Sequence, residues 1–485
     1  MSRTNSADAR RLFIGACFAL IATSVAFATV GAVMLALKRE FVLTNQQVGW
    51  IGGAALWGFA VSQLIFAPLC DTLGMRFLVR LAWLGHLAGT LVMIFASGFW
   101  LLFSGALVIA MANGLVEAAC NPLVATLYPD DKTVKLNQFH VWFPGGIVLG
   151  GLAAYGLDAA GIGAWQIKLA LILVPTLIYG VLLLRREFPA TEGVAAGVGV
   201  GETFRAAFTT PFMWVMLIAM ATTASVELGP NRWVPAVLEA GGMPGILVLV
   251  WISGLMAVLR FKAGVVVHRL SPTGVLLASA ALSGLGLLGL YQWGAGAMAF
   301  AAATIFAVGV CYFWPTMLGV VSERVPRSGA LGLGLMGAVG MATVGLVTAP
   351  QMGRIADRYA HERIPAAEAR TVIGLGSRMF AAMEGEDARG AAEAAAGVLS
   401  DFESTGSMPS PGTANALRAI IGADPGDGLG DRAAALLGPA DNYGGRVSFL
   451  YIVPLCGILI LIFGVMYMRD RRSGGYAARR IGSAA

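Results

Sequence analysis

The dominant pattern along the chain is a series of apolar segments, each about 20 residues long, the length that an α-helix needs to cross a bilayer. Short polar stretches separate them. Twelve such segments lie near residues 12–37, 48–69, 77–98, 101–127, 136–157, 166–184, 212–238, 245–267, 273–292, 296–321, 330–352 and 447–468. The pattern predicts an all-α polytopic membrane protein with twelve transmembrane helices in two six-helix bundles.

Composition supports the membrane interpretation and excludes other classes. Hydrophobic residues make up 57% of the chain, charged residues only 12%, and the mean hydropathy is +0.75, which is not the composition of a soluble enzyme. The net charge of +6 comes from basic residues at helix ends, so no nucleic-acid partner is expected. The five cysteines are scattered singly, so neither disulfides nor a metal site is predicted. No P-loop motif is present, so ATP-driven pumping is not expected, and no cofactor is predicted.

The lysines and arginines of the short loops predict the orientation in the membrane. One set of loops, together with both chain ends, holds Arg3, Arg10, Arg11, Arg76, Arg80, Lys132, Lys135, Arg185, Arg186, Arg205, Arg269, Arg324, Arg327, Arg469, Arg471 and Arg472. The opposite loops hold little beyond Lys38, Arg39, Lys168 and Arg232. The positive-inside rule places both termini in the cytoplasm, and the cytoplasmic (inner) membrane is the expected location. The first apolar segment has no convincing cleavage site, so it is predicted to be a retained helix.

The chain divides into two similar halves. The stretch Glu187 to Arg205 is Gly-rich and charged, which suits a flexible connection. Similar residues recur at a spacing of about 195 positions, as expected for internal repeats: Trp57 and Trp251, Asp71 and His268, Pro122 and Pro315, Pro129 and Pro326. The predicted domains are an N-terminal bundle (1–186), a cytoplasmic linker (187–208), a C-terminal bundle (209–352 and 447–470), an extracytoplasmic insertion (353–446) and a cytoplasmic tail (471–485).

The insertion at 353–446 interrupts the regular succession of apolar segments. Its spacing of apolar residues predicts short amphipathic helices over the outer face. It contains no cysteine and no recognisable catalytic constellation. A solvated lid or spacer is the main interpretation, and a domain for substrate delivery or partner docking is the alternative.

Polar residues in the fourth and fifth apolar segments form the first candidate site. Glu117 and Asn121 are four residues apart, so they share one face of a helix. A carboxylate at bilayer depth is costly unless it faces protein or water. Asn137, Gln138 and His140 lie near the start of the next segment. These residues are predicted to face a common interior, and hydrogen bonding between helices is the alternative role.

The seventh segment supplies a second candidate carboxylate. Glu227 lies inside the apolar run and is followed by Pro230, Asn231 and Trp233. Proline frees backbone carbonyls, which is tolerated at depth when they line a cavity. Glu227 is thus a second candidate for proton coupling, with Asn231 and Trp233 as candidate substrate contacts. An interfacial cluster at the outer membrane surface is the alternative.

Aromatic and basic residues of the second half complete the candidates. Tyr312 and Trp314 precede Pro315, and their rings suit the apolar face of a sugar or base. Packing against lipid or neighbouring helices is the alternative. Arg260 and Lys262 lie near the predicted cytoplasmic end of the eighth helix and are expected to extend outward to the surface rather than bind substrate.

The end of the second segment, APLCDTLGMR, resembles the loop motif of the major facilitator superfamily. Asp71, Gly74 and Arg76 occupy its key positions, although Ala67 replaces the first glycine and Thr72 a basic residue. The resemblance implies a twelve-helix transporter in which Asp71 helps to close the inward gate. Its counterpart in the second half, GVVVHRLSP, places Gly264, His268 and Arg269 in the same gating role. A plain turn at the membrane boundary is the alternative.

Within that superfamily, VEAACNPLVATLYP followed by KLNQFH resembles the fucose:proton symporter family. The resemblance implies that Glu117 is the protonatable residue and that Asn137 and His140 contact the sugar. The family also has a carboxylate in its first helix. Here that helix offers only Thr23, Ser24 and Thr29 as polar residues, which departs from a relay of two carboxylates.

The sequence therefore predicts a secondary active transporter of a sugar or similar small polar solute, coupled to protons. We expect a monomer in the lipid bilayer whose partners are the solute and protons. An uncoupled facilitator and a transporter of nucleosides or amphipathic drugs are alternatives, as is a receptor whose functional part is the insertion.

Overall fold

The computed structural model describes residues 6–410, 412–423 and 428–481. Arg3, which was used for the predicted orientation, lies outside this range, as do the ends of the predicted tail and a few residues of the predicted insertion. Within this range the membrane helices are labelled α1 to α12 in chain order.

The first half contains six helices. They are α1 (Ser6–Glu40), α2 (Asn45–Phe66), α3 (Met75–Ile94), α4 (Phe99–Leu127), α5 (Lys132–Phe139 and Trp142–Ala159) and α6 (Trp165–Ala170 and Leu173–Leu183). A capping box starts α2, because the Thr44 hydroxyl accepts from the Gln47 N–H and the Gln47 side chain accepts from the Thr44 N–H. Gly74, with φ of 83°, ends the short helix Cys70–Leu73 and allows α3 to begin.

The second half contains the other six membrane helices. They are α7 (Pro211–Ala240), α8 (Gly245–Phe261), α9 (Ala263–Gln292), α10 (Gly296–Val310 and Phe313–Arg324), α11 (Gly329–Thr343, a π-helical turn Val344–Thr348, then Ala349–His361) and α12 (Leu429–Arg472). Only Lys262 separates α8 from α9, and the real break falls at Ser271, whose φ is 63°.

The structure confirms an all-α membrane fold. Among the described residues, eleven helices are long and apolar enough to cross a membrane, and the shorter apolar helix Gly245–Phe261 corresponds to the twelfth predicted segment. Helices within one half pack closely. At Gly309 of α10, for example, an added Cβ would lie 2.4 Å from the backbone nitrogen of Ser283 in α9, so only glycine fits there. The two halves meet where α2 contacts α11 and where α5 contacts α8 and α10.

Helices α11 and α12 are longer than the apolar pattern predicts. Helix α11 continues beyond its predicted end to His361, and α12 begins at Leu429, before its predicted start. The chain between them forms three helices, Ala366–Phe380, Glu386–Thr405 and Gly412–Ala423. We call residues 362–428 the cap. Its helices bury a separate apolar cluster together with the outer turns of α11 and α12. Amphipathic helices are thus present in this segment, as its spacing predicts.

The end of the molecule opposite the cap is closed by polar contacts between the halves. We call it the tail face, because α1 begins and α12 ends there. Glu323, at the end of α10, accepts from the Thr133 N–H (2.9 Å) and hydroxyl (2.8 Å) at the start of α5. The Tyr476 hydroxyl donates to the same carboxylate (2.6 Å). Lys132 of α5 pairs with Glu192 in the segment joining the halves.

Candidate functional site

Two carboxylates from different halves lie at one buried cavity. Glu117 of α4 and Glu227 of α7 are each 3% exposed. Both line a small cavity of about 20 Å³ between the halves, together with His140, Arg260 and Trp314. The remaining lining residues are Phe59, Phe143, Leu228 and Met341. The placement of Glu227 in this cavity does not fit the alternative of a cluster at the outer membrane surface.

Glu117 is bonded to neutral donors. One of its carboxylate oxygens accepts from the Asn121 amide (3.2 Å) and from the indole N–H of Trp314 (3.3 Å). The other lies 3.7 Å from Nε2 of His140. The Trp314 bond crosses between the halves, so the carboxylate lies at the boundary between them.

The orientation of His140 follows from its second ring nitrogen. Its Nδ1 lies 3.0 Å from the carbonyl oxygen of Leu136, which can only accept, so Nδ1 carries a hydrogen. A neutral ring therefore presents the Nε2 lone pair toward Glu117. Nε2 is buried and has no hydrogen-bond partner among the described residues. Two acceptors that face each other in this way can share one added proton.

Glu227 differs because it has a cationic partner. Arg260 donates to it at 2.8 Å, and the backbone N–H of Trp314 donates to its other oxygen at 3.3 Å. Arg260 also donates to the carbonyl oxygens of Cys311 (2.5 Å) and His140 (3.0 Å). The guanidinium thus joins three helices of the second half to α5 of the first.

The expectation for Arg260 is wrong. The side chain does not extend outward, since the residue is 2% exposed and bonded to Glu227. The helix direction continues past Lys262 to the break at Ser271, so Arg260 lies about three turns inside the helix rather than at its end. Lys262, by contrast, is exposed. A signal was available, because the predicted segment 245–267 extends seven residues beyond Arg260.

The other predicted substrate contacts do not line the cavity. Asn137 donates to Thr133 O (2.9 Å) and Thr316 Oγ1 (3.0 Å), which ties α5 to α10. The Tyr312 hydroxyl donates to Leu259 O (2.8 Å). Gln138 accepts from Lys135 (2.9 Å), Asn231 lies 3.9 Å from the Met256 sulfur, and Trp233 packs beside Gly353. Their roles in substrate binding stay predictions.

The predicted gating residues lie at the tail face. Asp71 accepts from Thr191 (2.6 Å) and lies beside Gly329, at the positive N-terminal end of α11. Arg76 reaches the carbonyl oxygen of Leu184 at 3.5 Å. In the second half, His268 lies 3.4 Å from Asp131, Gly264 lies beside Val134, and Arg269 is exposed. These positions fit a gate between the halves, and the gating role stays a prediction.

Solved structures share this fold. The chain is similar to FucP, a major facilitator transporter in the outward conformation, with a TM-score of 0.59, 19% identity, and coverage of 71% of this chain and 92% of FucP. It is also similar to a bacterial homologue of the human lysosomal transporter Spinster, in an inward-facing conformation, with a TM-score of 0.60, 15% identity, and coverage of 99% and 100%. At these identities the likeness shows the fold alone.

Curated relatives are transport proteins. A gentisate transporter of Corynebacterium glutamicum is 22% identical over 345 residues, which cover 66% of this chain and 75% of the relative. The hexose transporter HXT17 of Saccharomyces cerevisiae is 31% identical over 209 residues, which cover 40% of this chain and 36% of the relative. The sequence model of the Major Facilitator Superfamily matches residues 12–345, more than half of the chain. The protein therefore belongs to the Major Facilitator Superfamily.

Proposed function

We propose that the chain is a proton-coupled secondary transporter that moves a sugar or similar small polar solute across the cytoplasmic membrane by alternating access. As a member of the superfamily, the chain is a membrane transport protein. The observation that supports coupling is the buried carboxylate of Glu117, which lies between the halves and faces an unpaired nitrogen of His140.

Glu117 is the better proton carrier of the two carboxylates. Glu227 is already engaged in an ion pair with Arg260, 2.8 Å away. Glu117 accepts only from a neutral amide and a neutral indole, so a proton there neutralises a charge that no guanidinium balances. Because the two ends of the cavity open in turn, a proton taken up with solute from outside is released inside.

The orientation in the membrane and the number of chains per transporter belong to the same proposal. The tail face carries most of the basic loop residues, so it is the cytoplasmic face. In the proposed cycle, solute and proton load from the opposite face while the tail face is closed. We propose that one chain forms the complete pathway, since both carboxylates and the cavity lie within a single copy.

An uncoupled facilitator is the second candidate. The observation in its favour is α1, whose buried polar residues are Thr23, Ser24 and Thr29, with no carboxylate among the described residues of its membrane part. The cargo is a separate question, because the names of the relatives cover both an aromatic acid, gentisate, and hexoses.

A measurement of pH tests the proposal. Sugars, nucleosides and organic acids are added one at a time to de-energised cells that express the chain, and the pH of the medium is recorded. Alkalinisation that depends on one solute and on the expressed chain supports proton symport. Equilibration of a labelled solute without any pH change would replace symport by facilitated diffusion.

The cap provides a test against the receptor alternative. Replacing residues 366–423 with a short Gly-Ser linker is expected to keep solute uptake within about threefold of that of the full chain. The reason is that the apolar cluster of the cap lies outside the cavity. Uptake per folded molecule is measured, with folding checked by size-exclusion chromatography. Complete loss of function in a monodisperse variant would favour a receptor or substrate-delivery role for the cap.

A further inference from the structure

Arg260 has no role in carrying the proton, yet it is one of the most deeply buried charges in the chain. It is 2% exposed and lines the cavity. Burying a guanidinium costs several kcal/mol unless partners compensate it. Glu227 offers only one oxygen to it, at 2.8 Å, and the other two acceptors are carbonyl oxygens. Among the described residues, three of its N–H groups have acceptors, whereas a guanidinium has five.

The rest of the cavity lining narrows the kind of solute. Apart from four ionisable residues, the lining is apolar or aromatic, and the indole N–H of Trp314 is already bonded to Glu117. A polyhydroxylated solute would leave hydroxyls without hydrogen-bond partners against these surfaces, which weakens binding. A flat apolar body would instead pack against Phe59, Phe143 and Trp314.

We propose that the transported solute is an aromatic carboxylate whose carboxylate binds Arg260 while its ring lies against the aromatic lining. The inference rests on the proposed proton-coupled transport through this cavity and takes an aromatic acid, in place of a sugar, as the small polar solute. Arg260 is suited to this role because the planar guanidinium binds carboxylates through two parallel hydrogen bonds, one from each of two nitrogens.

Charge balance explains how the anion and the proton are linked. The charged and titratable groups at the cavity are Glu117 and His140 from the first half and Glu227 and Arg260 from the second. In this proposal, Glu117 and Glu227 are carboxylates and His140 is neutral in the empty cavity, beside the guanidinium of Arg260. Entry of an anion together with a proton on Glu117 leaves the net charge unchanged, whereas the anion alone adds a second uncompensated negative charge. The solute therefore enters only with a proton, and the cycle moves no net charge.

Electroneutrality separates this solute class from a neutral sugar. Proteoliposomes that contain the full chain are given labelled 4-hydroxybenzoate, with 4-hydroxybenzamide as its uncharged counterpart and fucose as a neutral sugar; protein-free vesicles correct for leakage. We expect 4-hydroxybenzoate to accumulate when the outside is acidic. Adding an inside-negative potassium diffusion potential is expected to change its uptake rate by less than about twofold. The benzamide is expected not to compete.

The outcomes distinguish this inference from the proposed function. Accumulation of fucose that is accelerated by the inside-negative potential would overturn the carboxylate and leave proton symport standing. Downhill exchange of 4-hydroxybenzoate without any response to a pH gradient would overturn coupling and leave the carboxylate standing. If neither probe moves, the aromatic carboxylate class is overturned.

Variants of Arg260 test the contact directly. Arg260→Gln is expected to lower 4-hydroxybenzoate uptake at least about 100-fold, and Arg260→Lys about tenfold, because lysine keeps the charge but not the paired donors. The double variant Arg260→Gln/Glu227→Gln removes the pair without leaving an unpaired carboxylate, so it serves as the folding control. Lys262→Gln is the matched control, since this neighbouring cation is exposed. An unchanged KM for 4-hydroxybenzoate uptake in the folded double variant would overturn the proposal.

Discussion

The Glu117→Gln variant is expected to accumulate no solute above equilibrium when the outside is acidic, while exchange of labelled for unlabelled solute continues. Glutamine keeps the size of the side chain and the acceptor for Asn121 and Trp314, but it cannot take up a proton. A fixed neutral residue stands in for the loaded form, so solute binds and exchanges. Net transport fails because the unloaded, charged form never appears.

The size of this effect is measured in vesicles. Proton-driven accumulation is expected to fall at least about 100-fold, a loss of roughly 2.7 kcal/mol of coupling free energy. Exchange is expected to lose its dependence on pH. Glu362→Gln is the matched control, since this carboxylate lies on the outer extension of the second half and its side chain is 52% exposed. Accumulation at the wild-type level in Glu117→Gln would assign the proton to another group.

The Glu323→Ala variant is expected to open the tail face. Glu323 accepts two hydrogen bonds from Thr133 across the boundary between the halves and one from Tyr476. The two bonds from Thr133 exist only while this face is closed, so their loss destabilises one conformation selectively. Hydrogen bonds to a charged group contribute about 1.5–3 kcal/mol each, so we expect the open population to rise at least about tenfold.

Spin labels at Thr72→Cys and Ser473→Cys report this change by the distance between the halves. Both positions are exposed at the tail face, and all five native cysteines are buried, so they can be kept. A second, longer distance is expected in Glu323→Ala. Glu202→Gln is the control, because its pair with Arg327 is largely exposed and contributes little. Identical distance distributions in all variants would show that the Glu323 contacts do not hold the gate.

The membrane part of the fold was predictable because bilayer crossing imposes a length and an apolar composition on each helix. The sequence motifs likewise identified a major facilitator protein, which the superfamily match confirms, and the likeness to FucP confirms the fold. The outer extensions of α11 and α12 were not predictable in the same way. Turns such as Ala349–His361 are polar and amphipathic, so a hydropathy pattern ends before they do.

The site was predictable only in part. Glu117 and Glu227 stand out in a sequence because an isolated carboxylate in an apolar run needs a reason to be there. Their convergence could not be deduced, since it depends on how α4 and α7 rotate and pack. The bond from Trp314 to Glu117 spans 197 positions in the chain, and no local pattern specifies such a contact.

Arg260 shows how a basic neighbour can mislead the placement of a side chain. Its neighbour Lys262 suggests a membrane boundary, and arginine near such a boundary normally extends to the surface. The predicted segment 245–267 already contained Arg260, and the helix direction continues to Ser271, a residue with an unusual positive φ. The error therefore lay in the expected direction of the side chain rather than in the extent of the helix.

The cap has a practical consequence for imaging this protein. A detergent-solubilised bundle whose halves resemble each other offers few features by which single particles can be oriented in cryo-electron microscopy. The cap packs on the outer turns of α11 and α12, both in the second half, and its apolar cluster draws on residues 360–440. It therefore acts as a built-in fiducial marker that follows one half alone. An antibody fragment bound to it would mark the second half in every conformation and leave the boundary between the halves free to move.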